Sequence, residues 1–396
     1  MSPRVIHMQP AKHWNMKNII NTYSFSLRTL LLCVLLITLV ATYPTLTKIT
    51  FFAMSLDLEV SSAVAGAPVF YGFGAGATGG TGKPYYHVTN RNDSGPGSLR
   101  DAIAAGDRYV VFDVGGKINL TTDIEIRKAN ITVDGTTAPS PGITLKNRGL
   151  IIRGSTGAQN IIIQNIRVRN AAQDGIWITD AAKNIIIDHI SVSNSGDGNL
   201  DITRTGTKNI TVQWSILGTP ADEEKNMLVA FGASRISLHH NIFIESQQRS
   251  PQVTYDDSAA KTSDTKTTLD MVNNLIWNWR GGYGTRIRYG ARANIVNNYY
   301  AAAGGDKDDA LIICKGPISH LCELMPNGAR AYVAGNVSHD GISLNGLGTE
   351  SAPFTASGIP IADAKKAACK SMKKAGARPL DAADTLFLSH ITLRCS

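Results

Sequence analysis

The chain has 396 residues, enough for one large core or two ordinary domains, and is 43% hydrophobic and 18% charged with 37 glycines. Its net charge of +8 suits an acidic partner. No run of Lys and Arg is interleaved with aromatic residues, which sets nucleic acid aside.

In chain order, the first feature is the apolar stretch Thr29 to Ala41, TLLLCVLLITLVA, just after Arg28. Thirteen residues are short for a membrane span and suit the core of a signal peptide. Met16 is an alternative start, which would leave Lys17 and Arg28 as the charged flank. The expectation is an exported protein, extracellular or periplasmic, or one held to a membrane by residues 29–41 if the leader is uncleaved. Residues 1–66 are read as leader and linker, and 67–396 as one domain. Beyond Cys33 in the leader, four cysteines remain: Cys314, Cys322, Cys369 and Cys395. No spacing among them resembles a zinc site. Sequence neighbourhood favours Cys314–Cys322 and Cys369–Cys395, although four cysteines allow three pairings. Asn92, Asn119, Asn130, Asn209 and Asn336 each begin an N-x-S/T sequon.

The middle of the chain repeats. NIIIQNIRV (160–168), NIIIDHISV (184–192), NITVQWSIL (209–217), RISLHHNIF (235–243), LDMVNNLIW (269–277), ANIVNNYYA (293–301) and AYVAGNVSH (331–339) are short β-branched runs that turn at a polar pair. Aligned on the second residue of that pair, the column reads Asn165, His189, Trp214, His240, Asn274, Asn298 and Asn336. A period near two dozen residues with one strong strand per period predicts a solenoid of parallel strands. Buried parallel strands read as continuous apolar runs, as III does twice. Asparagine at the turn tolerates left-handed backbone and can hydrogen-bond from coil to coil. Segments between the strands, such as 169–183, lack a helical stripe, so a doubly wound α/β fold is disfavoured. Earlier coils are expected over 108–120, 124–135 and 142–154, and insertions around 254–268 and 302–330. The Ala/Lys-rich tail from about 360 is expected to be helical and to cap the open end. A solenoid capped at both ends has no exposed strand edge and is expected to be a monomer.

Asp174 lies in QDGIWI, Asp197 and Asp201 in GDGNLDI, Lys225 in EKNMLVAFG and Arg249 in QQRSPQV. Steps near one period (Asp174 to Asp197, Asp201 to Lys225, Lys225 to Arg249) predict that these side chains stack in one lateral groove. Clustered carboxylates repel unless a cation lies between them, and an all-oxygen set selects a hard ion such as Ca²⁺. Asp197 and Asp201 also remain open to reading as a glycosidase acid pair.

The chain resembles the pectate lyases of polysaccharide lyase family 1. The resemblance covers roughly 68–390 and is carried by an ordered set: GFGAGATGG, NDSGPGSLRDAI, NIIIDHISVS, GDGNLDI, KNMLVAFG, ISLHHNIF, RSP, the NN pair at 273–274 and AGARPLDAAD. It implies an all-β, single-stranded right-handed parallel β-helix with short capping helices. It also implies calcium-dependent β-elimination of polygalacturonate, giving 4,5-unsaturated products. On that resemblance Asp174, Asp197 and Asp201 are calcium ligands, Lys225 binds the substrate carboxylate and Arg249 removes the C5 proton. Asp188 and His189 match a pair read as structural. The family usually carries a second arginine a few residues after the first, where this chain has Gln252 and Thr254. Arg286 or Arg288, in GTRIRYG, are the candidates to replace it in substrate binding. A calcium-free pectin lyase, an inverting polygalacturonase and a non-catalytic polysaccharide-binding β-helix are the competing readings. The three acids weigh against the first, the lack of Gly-His-Gly against the second, and Lys225 together with Arg249 against the third.

Overall fold

The computed structural model describes residues 69–218, 225–255, 267–280, 282–315, 321–322 and 328–395. By its contacts the chain divides into two units, Met1–Gly66 and Ala67–Ser396. The apolar stretch 29–41 and Cys33 lie outside the described residues, as does most of the insertion at 254–268. Among the described residues no helix is long and apolar enough to cross a membrane.

Among the described residues every strand pairing is parallel, in three sheets of ten, eight and nine strands. Successive strands pass through the three sheets in turn, so a full coil gives one strand to each. In the ten-stranded sheet Ile161, Ile185, Ile210, Ile236, Leu269, Ala293 and Ala331 stand in register along the stack, each at most 3% exposed. Adjacent strands lie about 4.8 Å apart, so each β-branched side chain packs on its copy in the next coil. Fully burying one such side chain contributes roughly 1.5–3 kcal/mol, so the inward columns of all three sheets form one continuous core.

Polar residues make the bends. Asn130, Asn160, Asn184 and Asn209 open successive strands with φ of 56–58° and link side chain to side chain: Asn160 donates to Asn130 and Asn209 to Asn184. At the far end of the same strands the left-handed positions are Asn165, His189, Trp214, His240, Asn273 and Asn297, followed by Gly335. The expected single column is therefore two. Pairing of His239 with Val272 aligns His240 with Asn273. Asn274, Asn298 and Asn336 instead follow Asn241, one residue later, in a buried ladder. Asn130, Asn160, Asn184 and Asn209 combine left-handed backbone with coil-to-coil bonding, whereas at the far end of the strands the two roles fall to neighbouring residues.

Leu99, Ala102 and Ile103, on and after the short helix Leu99–Ala102, join the core beside Val88 in the first strand. The helices Ala364–Lys374 and Ala382–Ser389 do not cover the opposite end. They lie along the outer face of the nine-stranded sheet, where Ala368, Ala375 and Phe387 pack against Ile216, Ile242 and Leu275. That face is apolar enough to need a lid. Disulfides join Cys314 to Cys322 and Cys369 to Cys395, with Cα–Cα separations of 5.5 and 5.6 Å, as expected from sequence neighbourhood.

Candidate active site

The eight-stranded sheet carries the site. Inward residues such as Ile176, Ile178, Leu200 and Ile202 alternate with outward ones, as strand geometry requires. The outward column runs Ile151, Trp177, Asp201, Leu228, Gln252 and Arg286, one residue per coil. Above it lies a cavity of about 440 Å³ whose lining includes Asp174, Asp197, Asp201, Arg249, Trp177 and Phe231. The three aspartates and Arg249 thus share one groove.

Their stacking differs from the expected one. Asp201 pairs with Leu228, 27 residues on, and Lys225 pairs with Gly198. Lys225 then bridges to Gln248, which leaves Arg249 beside Asn226. The step from Asp201 to Leu228 exceeds the period of about two dozen residues, and this longer step shifts the register. Asp174 lies beside Gly198, whose N–H donates to Asp174 Oδ1 at 3.0 Å. The Leu228 N–H donates to Asp201 Oδ1 at 3.0 Å. Lys225 Nζ is 3.1 Å from Asp197 Oδ1.

Gly198 is what lets the two inner carboxylates meet. A Cβ there would stand 2.6 Å from Asp201 Oδ1 and 3.1 Å from Asp174 Oδ1, so any side chain would occupy the space between them. Burial, and then the charge of Asp197, push the Asp174 carboxyl up to about 6. Burial, and then Asp174, push Asp201 well above the usual carboxylate range. Arg249 opposes both shifts. Among the described residues no trio of His, Cys, Asp or Glu is set as a ready metal cage. Asp201, buried, and Asp174, half-buried, face each other and offer only oxygen, so they still fit a hard cation, with Asp197 at the same cavity wall.

Because both carboxyls bind their protons more tightly folded than unfolded, the metal-free fold is favoured below about pH 4 and loses stability as pH rises toward and through 6. For Asp174 that loss is on the order of 2 kcal/mol. A cation bound by the ionised pair works in the opposite direction. Millimolar Ca²⁺ is therefore expected to raise the thermal midpoint by a few degrees at pH 7.5 and by less than about one degree at pH 4.5. Scanning calorimetry of the chelated and calcium-loaded protein reads this, and equal increments at both pH values would contradict it.

Arg249 occupies a turn at φ 66°. Beneath it a polar chain crosses three coils, with Asn199 donating to Asn226 at 2.9 Å and Asn226 to Ser250 at 3.1 Å. The Ser250 N–H donates to the Gly284 carbonyl at 2.7 Å and its carbonyl accepts from Thr285 at 2.6 Å, so the turn is held from both sides. The Nε of Arg249 is buried without a hydrogen-bond partner. Its guanidinium bonds the hydroxyl of Tyr283.

Arg286 comes beside Gln252 and, like Gln252, lies outside the residues that line the cavity. It pairs in register with Gln252, its Nε donates to Gln252 Oε1 at 3.0 Å, and its guanidinium lies 4.1 Å over the Tyr283 ring. Tyr283 donates to the same Gln252 oxygen. Arg288 stands apart from the cavity lining, buried 4.5 Å over the Tyr289 ring. Sequence reasoning missed Trp177 and Tyr283. Trp177 was detectable as the outward residue of IWI, and its Nε1 donates to Thr203 at 2.9 Å. Nothing local marks Tyr283, because its partners come from two neighbouring strands.

No protein-family model matches the chain. Curated relatives do. The chain is 36% identical over 248 residues to a protein named probable pectate lyase C of Aspergillus terreus, covering 60% of this chain and 55% of that one. It is 37% identical over 229 residues to the protein of the same name in Emericella nidulans, covering 57% and 50%. With a pectate lyase A of Dickeya chrysanthemi it shares 26% identity over 235 residues, covering 46% and 58%. The chain therefore spans about half the length of the curated relatives it matches. Among solved structures, the major cedar-pollen allergen jun a 1 superposes with a TM-score of 0.60 at 17% identity, covering 78% of this chain and 92% of that one. A pectate lyase from Bacillus sp. N165, solved in complex with trigalacturonate, gives 0.57 at 20%, covering 77% and 98%. These structures share the parallel β-helix fold.

Proposed function

We propose that the chain is a polysaccharide lyase that cleaves polygalacturonate by β-elimination with calcium. The observation that carries this is the shared groove in which Asp174, Asp197 and Asp201 face Arg249, on a fold and in relatives named pectate lyases.

In this reading Asp174 and Asp201, with Asp197, would hold Ca²⁺, which would supply positive charge to the C6 carboxylate of a galacturonate whose C5 proton is to be removed. Lys225 sits at the rim beside Asp197 and pairs with a substrate carboxylate. Arg249 faces C5 and takes its proton. The ring then forms the C4–C5 double bond and expels the C4 oxygen with the departing chain, which takes up a proton. An arginine is a weak base because its ordinary pKa exceeds about 12. Its turn excludes water from Nε and holds the guanidinium in place, so orientation supplies part of what basicity does not. Trp177 offers a flat apolar floor for the sugar face, and Arg286 supplies the second cation through Gln252. Export of the chain belongs to the same reading, since the polymer is an extracellular substrate.

Incubation with polygalacturonate is expected to produce ultraviolet absorbance from unsaturated oligomers with calcium and none with chelator. No gain under either condition would sink the lyase assignment, and a gain indifferent to chelator would sink the calcium role. Activity only on methyl-esterified polymer would favour the pectin lyase alternative.

A further inference from the structure

The His189–Trp214–His240 column has no part in the groove. These residues turn the chain between the ten-stranded and nine-stranded sheets, away from the eight-stranded sheet that carries the site. They stack coil upon coil: Trp214 lies 4.2 Å from His240 and 6.1 Å from His189, near-parallel in both cases. Trp214 and His189 are partly exposed.

The helix Ala364–Lys374 passes beside this stack. It carries Lys365, Lys366, Lys370, Lys373 and Lys374, all exposed, while Ala364, Ala367, Ala368 and Ser371 face the protein. None of the five lysines takes part in an ion pair among the described residues. The Nζ of Lys370 lies 5.4 Å and that of Lys374 6.0 Å over the Trp214 ring. Lys365, Lys366, Lys370 and Lys373, with Asp363 and Cys369, line a depression of about 420 Å³. The nearby acid Asp188 is engaged by His189 and Gln213. The Cys369–Cys395 disulfide ties the helix to the tail, so the charges are displayed from a fixed frame.

Five exposed lysines on one helix, with the ring of Trp214 already covered by its stacked histidines and by Lys370 and Lys374, match a ligand with regularly spaced anions. We propose that this strip is a second binding surface for acidic polysaccharide, remote from the groove, which retains the protein on insoluble polyuronate while the groove works. The choice of polyuronate rests on the proposed function, and two-point attachment gains avidity without any new contact at the site.

The test compares the full chain with a variant carrying Lys365→Gln, Lys370→Gln, Lys373→Gln and Lys374→Gln, and with the corresponding four-fold Lys→Arg variant. Retention on cross-linked polygalacturonate beads is measured in an Arg249→Ala background, so that the beads are not consumed. Turnover of soluble trigalacturonate is measured with Arg249 intact. The Gln variant is expected to lose at least about tenfold in retention, with a flatter salt dependence, while trigalacturonate kcat/KM stays within about twofold. The Arg variant is expected to keep its retention. Bead retention of the Gln variant within twofold of the parent would overturn the proposal. So would a joint fall of retention and turnover at an unchanged thermal midpoint, or parental binding to phosphatidylserine vesicles but not to beads. If the parent binds beads through these lysines yet makes no unsaturated product, the lyase assignment fails and this surface stands.

Discussion

Arg249→Lys and Arg249→Ala are each expected to lower turnover of polygalacturonate by 10³-fold or more, with far-ultraviolet dichroism and thermal midpoint near those of the parent. Loss of a positioned acid–base group costs about 10²–10⁴ in rate. The upper part of that range applies because Arg249 also stands as a cation against the Asp174 and Asp201 carboxylates. The lysine variant keeps a charge but not the planar fork, so charge alone will not rescue it. The backbone argues for a preserved fold: Ser250, Asn226 and Thr285 hold the turn, whichever side chain it displays. A non-glycine residue is already tolerated at φ 66°, so the cost of lysine or alanine there is small. Turnover within tenfold of the parent in both variants would remove Arg249 from the role of base.

The second large effect is on stability. Asp384 is fully buried, 2.7 Å from the Arg169 guanidinium and 3.8 Å from Arg167, whose side chain is 1% exposed. Asp381 completes the network on the exposed side. Arg167 also donates to the carbonyls of Pro141 and Ala377, so the four residues join the coils to the C-terminal segment. Asp384→Ala leaves two buried guanidinium groups facing each other with one carboxylate between them. Removing one partner of a buried pair costs about 3–5 kcal/mol, and a loss of unfolding free energy of that size, read from urea titration, is expected. Burial raises the Asp384 carboxyl above its usual pKa despite Arg169, so the charge is held at some cost. Asp384→Asn, which still accepts from Arg169, is therefore expected to lose less than Asp384→Ala. A double variant, Arg169→Met with Asp384→Leu, is expected to recover part of the loss. A shift below 1 kcal/mol for Asp384→Ala would show that the network contributes little.

Much of this was legible in the residues themselves. The III runs, the polar pairs that end them and the period between them define strands, turns and coil number, because a strand buried on one face must present apolar residues where its neighbours do. Asp174, Asp197, Asp201 and Arg249 were identified before any geometry, and they do share a groove. The stack of Asp201, Lys225 and Arg249 was not correct. A fixed period treats every coil as equal, whereas the coil entering Lys225 is 27 residues long, and hydrogen-bond register rather than residue count decides who faces whom. The asparagine columns slipped by one for the same reason. The NN pairs fit either alignment, and only the pairing of His239 with Val272 selects one.

Tyr283 and the Arg167–Asp384 network lay beyond reach because their partners are 31 and more than 200 residues away, and no local pattern announces such contacts. The same holds for the C-terminal helix. Its Ala/Lys composition specifies a helix with one apolar face, but the choice between the open end and the flank depends on where unburied apolar surface remains. Ile216, Ile242 and Leu275 leave that surface on the outside of the nine-stranded sheet. Sequence alone thus determined the repeating unit, the disulfide neighbours and the chemistry gathered at the groove, since these depend on local pattern and residue type. Register, the route of the tail and the approach of Arg286 to Gln252 were decided by tertiary structure, because each is settled by which surfaces are left to bury once the coils have stacked.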